Sequence, residues 1–400
     1  LFINCVIDQV HTQDRPRRRE MRIVFPYIAQ PHQTLHSLPI AMEMAGRHPN
    51  TQIHIACTTQ AHLDYARYLA SFYPDTNVQF DLLRLPSVLR KRVETHGPNA
   101  LSKILSLAMN KKYFSSFQAI VVPERTSLYL RRMGLRGPRL IWTRHGAGDR
   151  AIGFARDVRE FDFVLLSGRK VERRLLADGS LRPGHYVTGI YAKFDMVQRM
   201  ESRPPQLFDN TRPTILYNPH FNRALSSWPR FGLDTLDFFA EQTRFNVIFA
   251  PHYRLFDQNR ELGRRIMRRY AKHGHMIIDP GSTRSIDMTY TRAADLYLGD
   301  VSSQIAEFLI KPRPCLFLNS HAQDWEDNPN YQFWNLGQVL TDVDRLDWAL
   351  ERAFIAQPQF LQRQREYIRE TFEFEDEGPT APVGADAIVH YLRETALNAS

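Results

Sequence analysis

Leu296-Tyr297-Leu298-Gly299-Asp300-Val301-Ser302-Ser303-Gln304-Ile305-Ala306-Glu307-Phe308-Leu309 reads as a short buried strand, a tight turn and a helix whose first turn carries two adjacent hydroxyls. Free backbone N–H groups and the positive end of a helix make such a turn a phosphate site. Glu307 lies one helical turn beyond Ser303 and on the same face, where a carboxylate could accept hydrogen bonds from sugar hydroxyls. The plainer reading makes Asp300 or a serine an N-cap, with Glu307 solvated. A capping box is excluded, because Ile305 and Ala306 stand three residues after Ser302 and Ser303.

Outward from this stretch, short apolar runs alternate with amphipathic ones. Arg22–Tyr27, Gln52–Cys57, Val78–Leu83, Ala119–Val122, Arg139–Thr143, Asp162–Leu166 and Tyr186–Thr188 read as strands. Helices are expected around Leu35–Ala45, Ala61–Ser71 and Asn99–Asn110. The polar, proline-rich segment from Glu201 to Pro213 is the expected linker. A second alternation follows, with strands at Thr214–Tyr217, Phe245–Ala250, His275–Ile278, Asp295–Leu298 and Cys315–Leu318, and helices at Asp257–Lys272, Ser285–Ala293 and Ser303–Ile310. Asp342–Tyr367 and Ala385–Glu394 read as closing helices. Strands alternating with helices imply parallel, doubly wound sheets, and 400 residues exceed one core. The expectation is an α/β chain of two Rossmann-like domains, 21–200 and 211–378, facing a central cleft. An N-terminal extension, 1–20, is expected to be disordered, and a C-terminal helix to occupy 379–400.

Lys and Arg number 52 against 43 Asp and Glu, a formal charge of +9 that suits anionic substrates or an anionic membrane surface. No helix-turn-helix, zinc-finger or RRM signature supports a nucleic-acid partner. Cys5, Cys57 and Cys315 form no CxxC pair, which fits a reducing cytoplasm and argues against structural zinc. No apolar run reaches the ~18–20 residues of a membrane-spanning helix. P-loop, GxGxxG, HExxH and GxSxG patterns are absent at the places that would give them meaning, so ATPase, standard dehydrogenase, zincin and α/β-hydrolase readings lose support.

In a doubly wound sheet the polar residues just after a strand point at the ligand crevice. Four such turns stand out. Thr143-Arg144-His145-Gly146 offers a general base beside a glycine that permits close approach. Gly189 through Lys193 and Asp195 follow the last strand of the first half. Asn218-Pro219-His220 follows the first strand of the second half, and Pro251-His252-Tyr253-Arg254 the next. His252 and Arg254 could both meet a diphosphate, the arginine as a fork. Each turn alone could be an incidental strand end. Together with Ser302 and Ser303 they converge on one side of the fold, which points to a phosphate-handling enzyme.

These residues resemble the CDP-glycerol glycerophosphotransferase family, the teichoic-acid primase and polymerase group. Its Asp-x-Ser-Ser segment with a later acid is similar to Asp300, Ser302, Ser303 and Glu307, followed by Lys311-Pro312. Its His-Gly turn resembles His145-Gly146, and its Pro-His turn resembles Pro251-His252, with Arg254 nearby. Its Gly-x-Pro-basic-x-Asp turn is similar to Gly189 through Asp195, with one extra residue and Ala192 in place of proline. Asp376 and Gly378 resemble its Asp-Gly segment before the last helix, whereas Gly148 stands where the family has another residue.

The resemblance implies the GT-B architecture and transfer of glycerol phosphate from CDP-glycerol to a hydroxyl of a glycan or lipid-linked acceptor, with release of CMP. His145 would be the base, and His252, Ser302 and Ser303 would hold the diphosphate. Glu307 would grip the ribose. No cofactor or metal is expected, and the protein is expected in the cytoplasm, with peripheral contact with the inner face of the cell membrane as an option. A GT-B glycosyltransferase with a CMP- or UDP-sugar donor, and a nucleotide- or glycan-binding protein without activity, are the rival readings.

Overall fold

The computed structural model describes residues 20–147, 156–201, 203, 205–257, 259–328, 330–373 and 378–397. Residues 1–19, Gly148 and Asp376 lie outside these. Seven strands form the first sheet: β1 (Met21–Tyr27), β2 (Thr51–Cys57), β3 (Val78–Leu82), β4 (Ala119–Val122), β5 (Arg139–Trp142), β6 (Phe163–Leu165) and β7 (Tyr186–Val187). Their order is β3-β2-β1-β4-β5-β6-β7, every pair parallel. Six more form the second: β8 (Thr214–Asn218), β9 (Asn246–Phe249), β10 (Met276–Ile278), β11 (Leu296–Gly299), β12 (Cys315–Leu318) and β13 (Gln338–Leu340), in the order β10-β9-β8-β11-β12-β13. These strands are also parallel throughout.

The sequence reading finds twelve of these strands because a parallel strand is covered on both faces and reads as an unbroken apolar run. Ala119–Val122 and Cys315–Leu318 are buried at every position. β13 escaped it: three residues at a sheet edge carry little pattern. Its clue is Gly337, where a Cβ would stand 2.3 Å from the carbonyl oxygen of Cys315.

The expected helix Ser285–Ala293 is broken in two, into a 3-10 turn Thr283–Ser285 and a short helix Thr289–Ala293. Between them Met288 sits at φ 68°, and Asp287 accepts from both the amide and the hydroxyl of Thr289, a local alternative to the helix ladder. Ser87–His96, Arg169–Ala177 and Trp228–Glu241 are helices that the sequence reading leaves unassigned.

The order in which strands are added reverses at one place in each sheet, between β1 and β4 and between β8 and β11. Loops leaving the sheet there diverge and open a crevice. The closing helices tie the halves together. Leu346–Phe372 ends against the first half at Gly168, where a Cβ would lie 2.7 Å from the backbone of Thr371. Thr380–Leu397 then packs Ala381, Ala385, Ile388 and Val389 into the same core as Ile23, Phe25, Leu38 and Ala41. The last helix thus belongs to the first sheet's core. Arg47 and His48 hold its Asp386 at 2.5 and 2.7 Å.

Candidate active site

One wall of the crevice begins where β5 ends. Arg144 at φ 37° and Gly146 at φ 74° turn the chain sharply, and strain of this kind in a non-glycine residue often marks a functional turn. Between them His145 points its Nδ1 at the carbonyl oxygen of Pro123, 2.5 Å away, just after β4. That carbonyl can only accept, so Nδ1 carries the proton and Nε2 keeps a lone pair. The Nε2 atom faces Nε2 of Gln33 at 3.3 Å, which makes the Gln33 amide a donor to it. Burial holds the His145 pKa below its ordinary value; Arg144 and Lys103 add to that, while the Pro123 hydrogen bond and Glu124 oppose it.

The turn after β1 and the helix Thr34–Arg47 that follows it contribute two histidines, His32 and His36, that the sequence reading does not single out. The His32 ring lies 5.8 Å from that of His145 and 5.3 Å from Tyr253 across the crevice. The His36 ring lies 6.4 Å from His145 and 5.1 Å from Tyr191. Burial first, then mutual repulsion with His145 and Lys193, pushes both well below the usual histidine range, so these two rings are neutral hydrogen-bonding groups. The signal was available: Pro31-His32-Gln33 stands just after a strand, where the other singled-out residues stand.

The opposite wall carries His220 after β8 and His252 after β9, their rings 5.4 Å apart. Nδ1 of His220 accepts the amide of Asn222 at 3.0 Å, and Nδ1 of His252 accepts that of Arg254 at 3.2 Å. In each neutral ring the proton is therefore on Nε2, a donor. The two walls are chemically opposite, a lone pair on His145 and N–H groups on His220 and His252. Arg254 is exposed at the rim, its guanidinium 4.4 Å over the ring of Phe221.

Asp300 differs from expectation. It is buried and accepts from the amides of His220 (2.8 Å), Ser227 (2.5 Å) and Val301 (2.6 Å) and from the Ser227 hydroxyl (2.9 Å). It staples the loop after β8 to the turn after β11 and offers nothing to a ligand. Burial pushes its pKa up to about 6, against the pull of those hydrogen bonds.

The helix beyond it is also shorter than expected, Gln304–Phe308. Five residues sum to a small dipole, so any anion binding rests on local groups. The Ser302 hydroxyl is buried and accepts the Gln304 amide at 3.2 Å. Ser303 is exposed and faces the other wall, with its Oγ 3.6 Å from where a Cβ on Gly146 would stand. The His-Gly turn and the Ser-Ser turn are thus direct neighbours.

Glu307 is likewise not presented to a sugar. It is buried, and its carboxylate takes the Lys193 ammonium at 2.7 and 2.8 Å and the Tyr191 hydroxyl at 2.7 Å, both from the first half. Asp195 turns away from the crevice and caps the last helix, accepting the amide of Ala381; burial raises its pKa to about 6. Gly189, at φ 75°, faces Glu373. Among the described residues no group of three His, Cys, Asp or Glu is placed to hold a metal ion, and no helix is long and apolar enough to cross a membrane.

No family profile matches the chain, and no curated protein matches it in sequence. Solved structures do. A variant of the wall teichoic acid polymerase TagF soaked with CDPG is similar at TM-score 0.59 and 14% identity, over 94% of this chain and 90% of that one. S. aureus MnaA with UDP is similar at TM-score 0.59 and 11% identity, over 93% and 97%. The UDP-GlcNAc 2-epimerase from Neisseria meningitidis bound to UDP-GlcNAc is similar at TM-score 0.59 and 10% identity, over 92% and 100%. With two parallel sheets, and with this similarity running along nearly its whole length, the chain has the GT-B fold.

Proposed function

We propose that this protein transfers glycerol phosphate from CDP-glycerol to a hydroxyl of a glycan or lipid-linked acceptor, releasing CMP. The observation that carries the reading is the opposition of a lone pair on His145 to N–H donors on His220 and His252 across one crevice. Attack on phosphorus needs a base within hydrogen-bond reach of the hydroxyl and donors where charge gathers on the leaving nucleotide. His145 takes the proton of the acceptor hydroxyl, and the acceptor oxygen bonds to phosphorus as the bond to CMP breaks. His252 and His220 donate to the diphosphate, and the Ser303 hydroxyl holds it from the turn beyond β11. The likeness to a CDPG-soaked polymerase supports a cytidine donor. The helix Ala100–Met109 leaves Leu101 and Met109 exposed, with the exposed Lys112 following, a face suited to an anionic membrane that holds a lipid-linked acceptor.

UDP-bound structures of equal TM-score favour a second reading, an enzyme acting on a UDP-sugar. A panel of nucleotide-activated donors separates the two. Release of free CMP with transfer of phosphorus is expected; release of UDP, or isomerisation of a UDP-sugar without release, would replace the first reading by the second.

The serines provide an independent check. A hydroxyl bonded to a charged phosphate is worth about 1.5–3 kcal/mol. Ser303→Ala is expected to weaken CDP binding in calorimetry by about that amount, and Ser302→Ala to weaken it less, because its hydroxyl is buried and already bonded. Equal affinity in wild type and in the double variant would remove these residues from the site.

A further inference from the structure

We propose that Gln33 is a positioning residue for His145: its amide N–H holds the Nε2 lone pair until an acceptor hydroxyl takes that place, and its carbonyl, turned over, accepts the Nε2–H once His145 is protonated. The inference rests on His145 being the base. It starts from a buried polar side chain, 4% exposed, whose amide nitrogen lies 3.3 Å from the basic atom. A hydroxyl about to lose its proton must donate to Nε2, so the Gln33 N–H marks the direction from which the hydroxyl comes.

The backbone around this pair is held on every side. Gln33 closes the 3-10 turn Pro31–Gln33, its amide bonded to Gln30 O at 3.1 Å, and the helix Thr34–Arg47 follows at once. Pro123, which holds the other ring nitrogen, directly follows β4, and β4 pairs with β1 and β5, the strands that precede Gln33 and His145 in the chain. The ring can therefore neither turn nor slide without breaking the Pro123 bond. What can move is the carboxamide, which has a donor and an acceptor at one end of a flexible side chain.

That symmetry suits a general base. When the acceptor O–H bond breaks and the Nε2–H bond forms, the electron pair left on oxygen goes to phosphorus and the leaving CMP takes the pair of the broken bond. The imidazolium then has N–H groups on both sides. Nδ1–H keeps Pro123, and Nε2–H meets the Gln33 carbonyl. The charged groups around the ring are Glu124, which favours the imidazolium, and Arg144 and Lys103, which oppose it; the His32 and His36 rings lie 5.8 and 6.4 Å away. Gln33 adds no net charge, so it acts only through the hydrogen bond it makes.

The test is the nitrogen-15 NMR titration of the His145 ring, assigned by its loss in His145→Gln, in wild type, Gln33→Met and Gln33→Glu. A hydrogen bond to an ion is about twice as strong as one to a neutral group. Losing both roles in Gln33→Met should therefore destabilise the imidazolium more than the neutral ring and move the titration to lower pH. Gln33→Glu, an acceptor with charge, should move it to higher pH. An unmoved titration in both variants overturns the proposal, and an upward shift in Gln33→Met overturns the turning of the amide. In donor turnover, kcat in Gln33→Met should fall ~10–100-fold, the worth of one charge-assisted bond. The ring titrates without any substrate, so this result is separable from the donor's identity. Wild-type CMP release that is lost in His145→Gln but unchanged in Gln33→Met keeps the function and rejects Gln33.

Discussion

His145→Ala is expected to lower turnover by ~10²–10⁴, the usual loss when a general base is removed, while CDP binds nearly as in the wild type. His145 works as the neutral ring, so the wild-type rate should rise with pH through its pKa. Burial depresses that pKa, with help from Arg144 and Lys103, so the midpoint should lie below the ordinary ~6.5 and activity should persist into mildly acidic buffer. In His145→Ala that acid limb should vanish along with most of kcat. His252→Ala should behave differently and weaken nucleotide binding as well, because the role proposed for its Nε2–H is to donate to the diphosphate. Should His145→Ala keep more than about a tenth of wild-type turnover, far short of a base's worth, the role of base would pass to another residue of the crevice.

Lys193→Met is expected to destabilise the fold by about 3–5 kcal/mol, since it leaves the Glu307 carboxylate buried without its cation. The Tyr191 hydroxyl remains as a single partner. Adding Glu307→Leu should recover much of the loss, because replacing a buried pair by apolar groups is often close to neutral. Denaturant midpoints of the single and double variants measure this directly. A loss below about 1 kcal/mol in Lys193→Met, the range of solvated surface pairs, would mean that the bridge between the halves opens to water in solution.

These two residues also mark the limit of what could be read from the sequence. The strands were legible because burial on both faces writes an apolar run, and His145, His220, His252 and Ser303 could be singled out as candidates because they follow strands. The roles of Asp300, Glu307 and Asp195 were not. A carboxylate that follows a strand looks alike whether it meets a ligand or another part of the chain, and the deciding partners are far away. Lys193 and Glu307 are 114 residues apart, and Asp195 and Ala381 are 186 apart. Gln33 and His32 were within reach of the same strand-end rule, applied to β1. The break at Met288 was not, since a left-handed methionine has no local signature.

The seat of the last helix constrains how the chain can be made. Ala381, Ala385, Ile388 and Val389 complete the core around β1 and the helix Thr34–Arg47, residues that leave the ribosome roughly 350 positions earlier. Until the segment Thr380–Leu397 has been synthesised, the apolar face that receives it stays uncovered, although its own sheet is already present in full. Folding of the first half during synthesis therefore stops one element short of closure, and the second half must emerge before the first can finish. An incomplete nascent chain exposes a greasy groove for the time needed to translate the second sheet, which is the kind of surface that chaperones bind.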